Sequence, residues 1–500
     1  MIKYDDIVVG SGSSGLTMTL LLAMKGHKVL LLEKAPDIGG SLARFSRKGV
    51  RFDTGFHFTG GMNKGGILAD ILSFLGMAEM VEPVFLEESS QNRFVFESSA
   101  RTFEHPVGLC QVKERFKGYF PAEAVAIDRY FDLVTSVCNR TPSMNIHENL
   151  IAPPNLDEDY LSLDTVLQGL TADASLRGLL SGYAMCYGVR PAEISFANHA
   201  RMVQNFYESI AFVKDGGDGF INAFRQRLSS LDVDIRCRTT IQSFGDIRDG
   251  RVNSFLLSDG QEVMANSCVL TIHPREILAL LPEKHYSRAF AARVSAFEPS
   301  AGFFSVFARI KPGVADPDPE AAIVSLFPDD DVNKLLSPDY HGVPAMVIIK
   351  SPDQADPEKG RGVCILEPSF PQEVAGWQAS SLGHRPAAYQ DYKQARLDAI
   401  KEHIFSQMPV YRDSLEFLDA GSLLTYRDYL FNHDGSAYGI KQKMQQFNLI
   451  GRLPLHNLYA AGQSALLPGI LGAMMSSLIV GRSIIGRDDY GKLLGGGKCS

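Results

Sequence analysis

Ile7-Val8-Val9-Gly10-Ser11-Gly12-Ser13-Ser14-Gly15 runs directly into Leu16-Thr17-Met18-Thr19-Leu20-Leu21-Leu22-Ala23, and this stretch decides the fold. A β-branched apolar run, a G-x-G-x-x-G turn and an apolar helix follow one another without a gap. Gly10 permits the tight turn, Gly12 lets the backbone approach a pyrophosphate, and Gly15 lets helix and strand pack closely. The helix start at Ser13 and Ser14 then offers free amides and a positive dipole to phosphate charge. After Gly26 turns the chain, Lys28-Val29-Leu30-Leu31-Leu32-Glu33 reads as a second strand, ending in an acid 18 positions beyond Gly15. Glu33, with Lys34 beside it, is placed to bind the cofactor by accepting hydrogen bonds from both hydroxyls of an adenosine ribose. An acid there disfavours a 2′-phosphate, so NADP is not expected at this site. Strand, turn, helix, strand and terminal acid agree on a dinucleotide; the alternative is a structural glycine turn.

Working outward, 500 residues are enough for two large domains with a sizeable core. The chain is 45% apolar and 21% charged, with 45 glycines and 25 prolines, close to the globular average and far from disordered or collagenous chains. The net charge of −8 provides no global positive field to recruit nucleic acid, and a small, uncharged or lipophilic substrate is easier to accommodate. Seven cysteines (Cys110, Cys138, Cys186, Cys237, Cys268, Cys364 and Cys499) are scattered and form no C-x-x-C pair, which argues against a disulfide framework and a zinc site. The 12 histidines show no H-x-x-x-H or H-E-x-x-H spacing, so no metal is expected. Because Ile2 to Gly10 already reads as a strand entering a turn, no signal peptide is expected and a cytoplasmic location is the default.

Two further glycine segments follow: Asp37-Ile38-Gly39-Gly40-Ser41 and Gly49-Val50-Arg51-Phe52-Asp53-Thr54-Gly55-Phe56-His57-Phe58. Physically they are a glycine pair where backbone passes close to a ligand and a strand ending at another tight glycine, or else two ordinary loops. Together with the first motif they resemble the FAD-binding amine oxidase and phytoene desaturase superfamily. The resemblance implies FAD, approached by Gly39, Gly40, Ser41, Gly55, Phe56 and His57. The form Phe-Asp-Thr-Gly-Phe-His-Phe is more similar to the retinol saturase and carotenoid isomerase branch than to bacterial phytoene desaturases, which usually have Pro in place of Phe56. Ser41 departs from relatives that carry Arg, so any contact by that guanidinium is missing.

At the carboxyl end no Lys, Arg, Asp or Glu lies between Arg452 and Arg482, which allows a membrane span as one reading. The glycines and Pro468 favour instead a strand Leu458 to Ala461 ending at Gly462, a loop broken at Pro468, and a small-residue helix from Gly472. This resembles the third FAD segment of the same superfamily, and implies that Gly462, Gln463, Gly469, Ile470, Gly472, Ala473 and Met474 lie along the flavin. Gly462-Gln463 is again similar to retinol saturase, where many amine oxidases have Gly-Asp. Upstream, Thr425 to Tyr429 and Gly435 to Gly439 match the T-x-x-x-Y and G-x-x-Y-G pattern of polyene oxidoreductases; a glycine turn is the plain alternative.

Between the motifs, Asp215-Gly216-Gly217-Asp218-Gly219 precedes an amphipathic helix with Phe220, Ile221, Phe224 and Leu228 on one face. A meander is expected over Val233 to Ile241, Arg251 to Ser258 and Val263 to Ile272, with hairpin signals at Asp249-Gly250 and Asp259-Gly260. The resemblance places adenine against the backbone of Ile241. Val112 to Pro121 mixes three bases with aromatics, and either makes a peripheral membrane contact or is an ordinary solvated helix edge. Gly491 to Cys499 mimics a P-loop but has the wrong spacing and no Ser or Thr after Lys498.

The expected fold is therefore α/β: a Rossmann-type FAD-binding domain from residues 1–75, 214–295 and 416–500, with an interleaved α+β substrate domain from 76–213 and 296–415. The expected activity is FAD-dependent oxidoreduction at carbon–carbon bonds of a lipophilic conjugated polyene, by saturation or isomerisation ahead of desaturation. An amine oxidase and a non-catalytic FAD-binding protein are the alternatives. Tyr438 and His57 are the candidate catalytic residues, as proton donors or polarising groups on the substrate side, or else an aromatic wall and a structural imidazole. With no second nucleotide fold in the sequence, the electron partner is a quinone, dioxygen, another flavoprotein or transient NAD(P)H.

Overall fold

The computed structural model describes residues 1–146, 155–353 and 358–496. Its larger sheet has eight strands, ordered Val233–Arg236, Val29–Leu32, Ile2–Val9, Glu262–Leu270, Phe255–Leu257 and Ile241–Phe244, with Leu458–Ala460 and Gly451–Arg452 branching from Glu262–Leu270. Five of these run parallel, and their carboxyl ends finish in register: Arg236 beside Leu32, Leu32 beside Val9, Val9 beside Leu270, and Leu270 beside Ala460. Val29–Leu32 is buried throughout, as a parallel strand covered on both faces must be. The strand order reverses around Ile2–Val9, so the turn after Val9 opens into the crevice where doubly wound sheets receive ligands.

Helix Ser13–Met24 packs between this sheet and helix Gly469–Ile485. It is apolar all round, with Ser14 to Ala23 buried, as suits a helix with no solvent face. The two helices approach through small residues. Ser477 Oγ donates to the Ser14 carbonyl at 2.8 Å, the two serine hydroxyls lie 2.6 Å apart, and a Cβ at Gly481 would collide with Leu21. Among the described residues no helix is long and apolar enough to cross a membrane. The uncharged stretch is thus the buried partner of the first helix, beginning at Gly469, three residues before the expected start.

A second sheet has seven strands, ordered Leu415–Gly421, Gly302–Ile310, Arg361–Ser369, Met346–Lys350, Ile323–Phe327, Asn92–Phe96 and Arg101–His105. Its two faces follow the strand period of two. Ile323, Phe327, Val347, Ile349 and Leu366 meet a helical layer that includes Ala124–Asn139 and Phe196–Glu208, while Val324, Leu326, Met346, Ile348 and Ile365 belong to the core under helix Ala387–Gln407. Leu415–Gly421 pairs with Gly302–Ile310, so this sheet takes its edge strand across the boundary expected near residue 416.

The meander differs from expectation. Val233–Arg236 pairs in parallel with Val29–Leu32, and the antiparallel strands are Ile241–Phe244, Phe255–Leu257 and Glu262–Leu270. Two strands with different partners meet across Cys237 to Thr240, which reads in the sequence as one continuous run. The helix after Gly216 spans Gly217–Leu228 and buries Phe220, Ile221, Phe224 and Leu228. Lys113 and Lys117 both pair with Asp128, at 2.8 and 2.7 Å, so two of the bases of the Val112 to Pro121 edge are committed within the protein. Arg487–Gly496 is a helix, which removes the P-loop resemblance; Gly497, Lys498 and Cys499 lie outside the described residues.

Candidate functional site

The site is built where the parallel strands end. Gly10 turns the chain at φ +96°, and Gly12 stands in the N-cap position of helix Ser13–Met24 with no side-chain cap and no acid in the first turn. The first-turn amides at Ser13 and Ser14 therefore lack the usual capping acceptor. Nothing lies within 4 Å of where a Cβ on Gly12 would stand, whereas a Cβ on Gly15 would strike the Gly10 carbonyl. Open space above the turn and backbone contact beneath it are what a bound pyrophosphate requires.

Glu33 is buried at the end of its strand. Its Oε2 accepts from the amide and hydroxyl of Ser11, at 2.8 and 2.5 Å, and its Oε1 accepts from the Ala35 amide at 2.7 Å. A carboxylate offers about four acceptor positions, so one remains for a ligand hydroxyl. Ser11 also ties in the glycine pair, since its carbonyl and hydroxyl each accept from the Gly39 amide at 3.1 Å. Gly40 lies against Gly12, with its would-be Cβ 3.2 Å from Gly12 Cα, and Ser41 lies against Gly55, whose amide donates to the Ser41 carbonyl at 3.1 Å. Lys34 places its ammonium 5.0 Å from the centre of the Phe431 ring. The backbone that runs past Glu33 is that of Arg238 and Thr239, whose amides donate to the Ala35 and Glu33 carbonyls at 2.9 Å each. Ile241 begins the next strand with its side chain in the core.

A second uncapped helix start lies across the crevice. Helix Gly469–Ile485 follows Pro468 with no side-chain cap, and Gly469 is left-handed at φ +78°. Its first turn and the loop before it, Leu466 to Gly472, line a cleft together with Gly55 to Gly60. Gly462 holds this loop to the helix, its amide donating to Ser476 Oγ at 2.8 Å, and Gln463 accepts through its carbonyl from Gln442 Nε2 at 3.3 Å. Ile470 and Gly472 reach the cleft wall; Ala473 and Met474 point into the core beside it.

The cleft encloses about 1210 Å3, with the solvent at its mouth included. Its other walls are aromatic and aliphatic: Phe56 and Phe58, Phe206 of helix Phe196–Glu208, and Phe303, Val347, Ile349 and Leu366 of the second sheet. Such a lining suits a lipophilic ligand larger than a single ring. Tyr438 and His57 both line it. The Tyr438 hydroxyl donates to the Met185 carbonyl at 3.3 Å, its ring meets Phe303 edge-on, and burial lifts its phenol well above the usual range. Burial, aided by the Arg44 charge, pushes the His57 imidazole down to about 4, so it is neutral near pH 7. Asp53, just behind, is pushed up to about 6 by burial against the opposing pull of Arg44, whose Nε lies 3.2 Å from its Oδ1.

Sequence reading missed the far walls of the cleft. Met185, Cys186 and Tyr187 arrive from a short 3-10 turn, and Arg201, Met202, Asn205 and Phe206 come from one helix. Their only signal is helical i, i+4 spacing, which any buried helix face shows. Among the described residues no group of three or more potential ligands could hold a metal ion.

Residues 8–75 match the NAD(P)-binding Rossmann-like domain family. Over 98% of its length the chain is 26% identical to all-trans-retinol 13,14-reductase of Rattus norvegicus, covering 87% of that protein. It is 23% identical to the chloroplastic prolycopene isomerase of Daucus carota, with 92% and 76% of the two chains covered. Among solved structures, an oxidoreductase from Methanosarcina mazei superposes with a TM-score of 0.66 at 15% identity, covering 96% of this chain and 99% of that one. The fold is thus an α/β architecture shared over nearly its whole length with that structure, with a Rossmann-like domain at residues 8–75.

Proposed function

We propose that this chain, which belongs to the phytoene desaturase-like oxidoreductases of carotenoids and retinoids, is an FAD-dependent enzyme acting on carbon–carbon bonds of a lipophilic conjugated polyene, by saturation or isomerisation ahead of desaturation. The observation that carries this reading is a cleft walled by Phe56, Phe58, Phe206 and Phe303 whose wall residue Gly55 rests on Ser41, next to the glycine that packs on the Gly12 turn. The relatives whose names specify a retinol reductase and a prolycopene isomerase cover nearly the whole chain, which supports the same substrate class. We assign the cofactor to residues 1–75, 214–295 and 422–500, and the substrate to 76–213 and 296–421, the strand Leu415–Gly421 going with the sheet it pairs into rather than with the segment expected from 416.

The residues present fit FAD. Open space over Gly12, uncapped helix starts at Ser13 and Gly469, and the buried acceptor Glu33 provide for the pyrophosphate, the flavin and the adenosine ribose in turn. When bound, the flavin supplies hydride exchange with carbon. The chain's own part is to orient and enclose. The first-turn amides at Gly469 and Ile470 present the positive end of a helix dipole to charge that builds beside them. The aromatic and aliphatic walls exclude water and hold an extended chain flat. Tyr438, whose hydroxyl donates to the Met185 carbonyl, serves as wall; His57, neutral at pH 7, offers a hydrogen bond.

Anaerobic mixing of the dithionite-reduced, FAD-loaded enzyme with a panel of polyenes tests the reading through product mass. A gain of two mass units marks saturation, and unchanged mass with shifted retention marks isomerisation. Loss of two units from the oxidised enzyme marks desaturation, and no change with any polyene would refute the assignment.

A further inference from the structure

Beside the cleft lies a second, much smaller cavity, and His57 lines both. The walls of the small cavity include Arg51, Asp53, Lys350, Ser351 and Cys364, and it has room for about one water. Neither ring nitrogen of His57 has a hydrogen-bond partner among the described residues, and neither is shut off from contact, so the imidazole opens on to these two spaces. Burial and the Arg44 charge keep the ring neutral, with a proton on one nitrogen and none on the other. It therefore presents the cleft with either a donor or an acceptor, and whatever takes up its N–H decides which.

Most polar groups around the small cavity are already committed. Lys350 spends its ammonium on both oxygens of Asp316, at 2.9 Å each, and on the Asp318 carbonyl. Arg51 pairs with Asp218, and Ser351 accepts from the Asp353 amide at its hydroxyl, 3.2 Å, and from Arg361 at its carbonyl, 2.9 Å. Burial pushes the Cys364 thiol up, so it is no anion near pH 7. Asp53 is the exception. Arg44 and the Gly217 amide, at 3.2 and 3.4 Å, both address its Oδ1, and the Arg44 guanidinium turns its Nη2 to Asp353 instead, at 2.6 Å. Asp53 Oδ2 has no hydrogen-bond partner among the described residues, yet it stays open to contact.

We propose that Asp53 is a positioning residue for His57: through one water held in the small cavity its carboxylate takes up the imidazole N–H, which leaves the bare ring nitrogen facing the cleft as an acceptor. This rests on the reading of the cleft as the substrate site and fixes the sense of the hydrogen bond that His57 offers there. An acceptor turns the negative end of the imidazole dipole toward a conjugated chain, so positive charge on that chain is stabilised and negative charge is not.

Two measurements on the full-length, FAD-loaded protein test it. Neutron diffraction from crystals soaked in D2O at pH 7.5 is expected to show the deuteron on the cavity-side nitrogen, with one water between it and Asp53. A deuteron on the cleft-side nitrogen, or a cavity without water, overturns the proposal. Nitrogen-15 NMR of histidine-labelled protein gives the tautomer ratio in solution, with His57 assigned by its loss in His57→Gln. The ratio is expected to be about 10:1 in the wild type and to fall to about 2:1 or less in Asp53→Asn, where a neutral amide of the same shape replaces a charged acceptor. Ser351→Ala, a change in the same cavity wall, is expected to leave it unaltered. A ratio unchanged in Asp53→Asn overturns the proposal and leaves Asp53 as no more than the partner of Arg44. The neutron measurement needs no variant and decides the matter if Asp53→Asn does not fold. Neither measurement contains a polyene, so failure of the polyene reading is seen separately, in the product-mass experiment.

Discussion

At the residue scale, two glycines three positions apart do opposite work, and their substitutions separate binding from folding. Gly12 sits at φ −67° and ψ −178°, a conformation open to any residue, and faces empty space. Valine there should leave the protein folded, with a thermal midpoint close to that of the wild-type apoprotein, while its methyls fill the space over the helix start. The expected outcome is a colourless protein after gel filtration with added FAD; a yellow, active Gly12→Val enzyme would refute the cofactor site. Tyr438 and His57 are separated by the same reasoning. Because the Tyr438 hydroxyl is engaged by the Met185 carbonyl and burial disfavours its ionisation, Tyr438→Phe should slow flavin reoxidation by substrate less than about 3-fold, against the ~100-fold expected on losing a general acid. Stopped-flow traces decide between the two. For His57, held near 4, the rate should show no inflection between pH 6 and 8 that His57→Gln abolishes; such an inflection would mean that bound ligand restores its ordinary basicity.

At the scale of elements, the unit that matters is strand, turn and helix from Ile2 to Met24, locked against helix Gly469–Ile485. Gly15 is where the helix touches the turn, and an added methyl would collide with the Gly10 carbonyl, which is backbone and has nowhere to move. Gly15→Ala should therefore force helix and strand apart at a cost of about 1–3 kcal/mol, seen as a lower urea midpoint, and should weaken flavin retention as well. A Gly15→Ala protein as stable as wild type would mean that the two elements are not packed as described. These elements were legible in the sequence because nucleotide binding dictates backbone: glycine spacing, an apolar strand and a terminal acid are local features. The break within Val233 to Ile241 is not visible in the sequence, because β propensity marks both Val233–Arg236 and Ile241–Phe244 and cannot show that they pair with different neighbours. The cleft walls were still less legible. Phe206, Phe303, Val347 and Leu366 are ordinary core residues in their own segments, and only the packing of the second sheet against the helical layer makes them one surface.

At the scale of the whole molecule, two fully enclosed histidines, His199 in the helical layer that backs the cleft and His105 at the end of strand Arg101–His105, shape how the protein responds to acid. His199 lies between Tyr130 and Tyr187, with ring nitrogens 2.7 and 2.9 Å from their hydroxyls, and His105 meets the Tyr183 hydroxyl at 2.6 Å. Both are buried, and burial pushes each imidazole down to about 3. The sign follows from linkage. In the unfolded chain a histidine takes up its proton near 6.5, whereas in the folded protein these two refuse it until about 3, so stability is complete above 6.5 and is lost as pH falls through that window. Between pH 7.5 and 5 each should remove about 2 kcal/mol. Asp53 acts the other way over part of this range: pushed up to about 6, it takes up a proton in the folded state first and returns about 1 kcal/mol as pH falls. His57 and His273, which burial pushes down to about 4, take stability away over the same window, so the net effect is a protein that weakens as pH falls below 6.5. Urea midpoints at pH 7.5 and 5 check it through His199→Gln. The variant should be less stable at pH 7.5, where it loses the bridge between Tyr130 and Tyr187, yet lose less than wild type on going to pH 5. An equal loss in both proteins would show that His199 takes up its proton in the folded state and that the tyrosine cluster tolerates the charge.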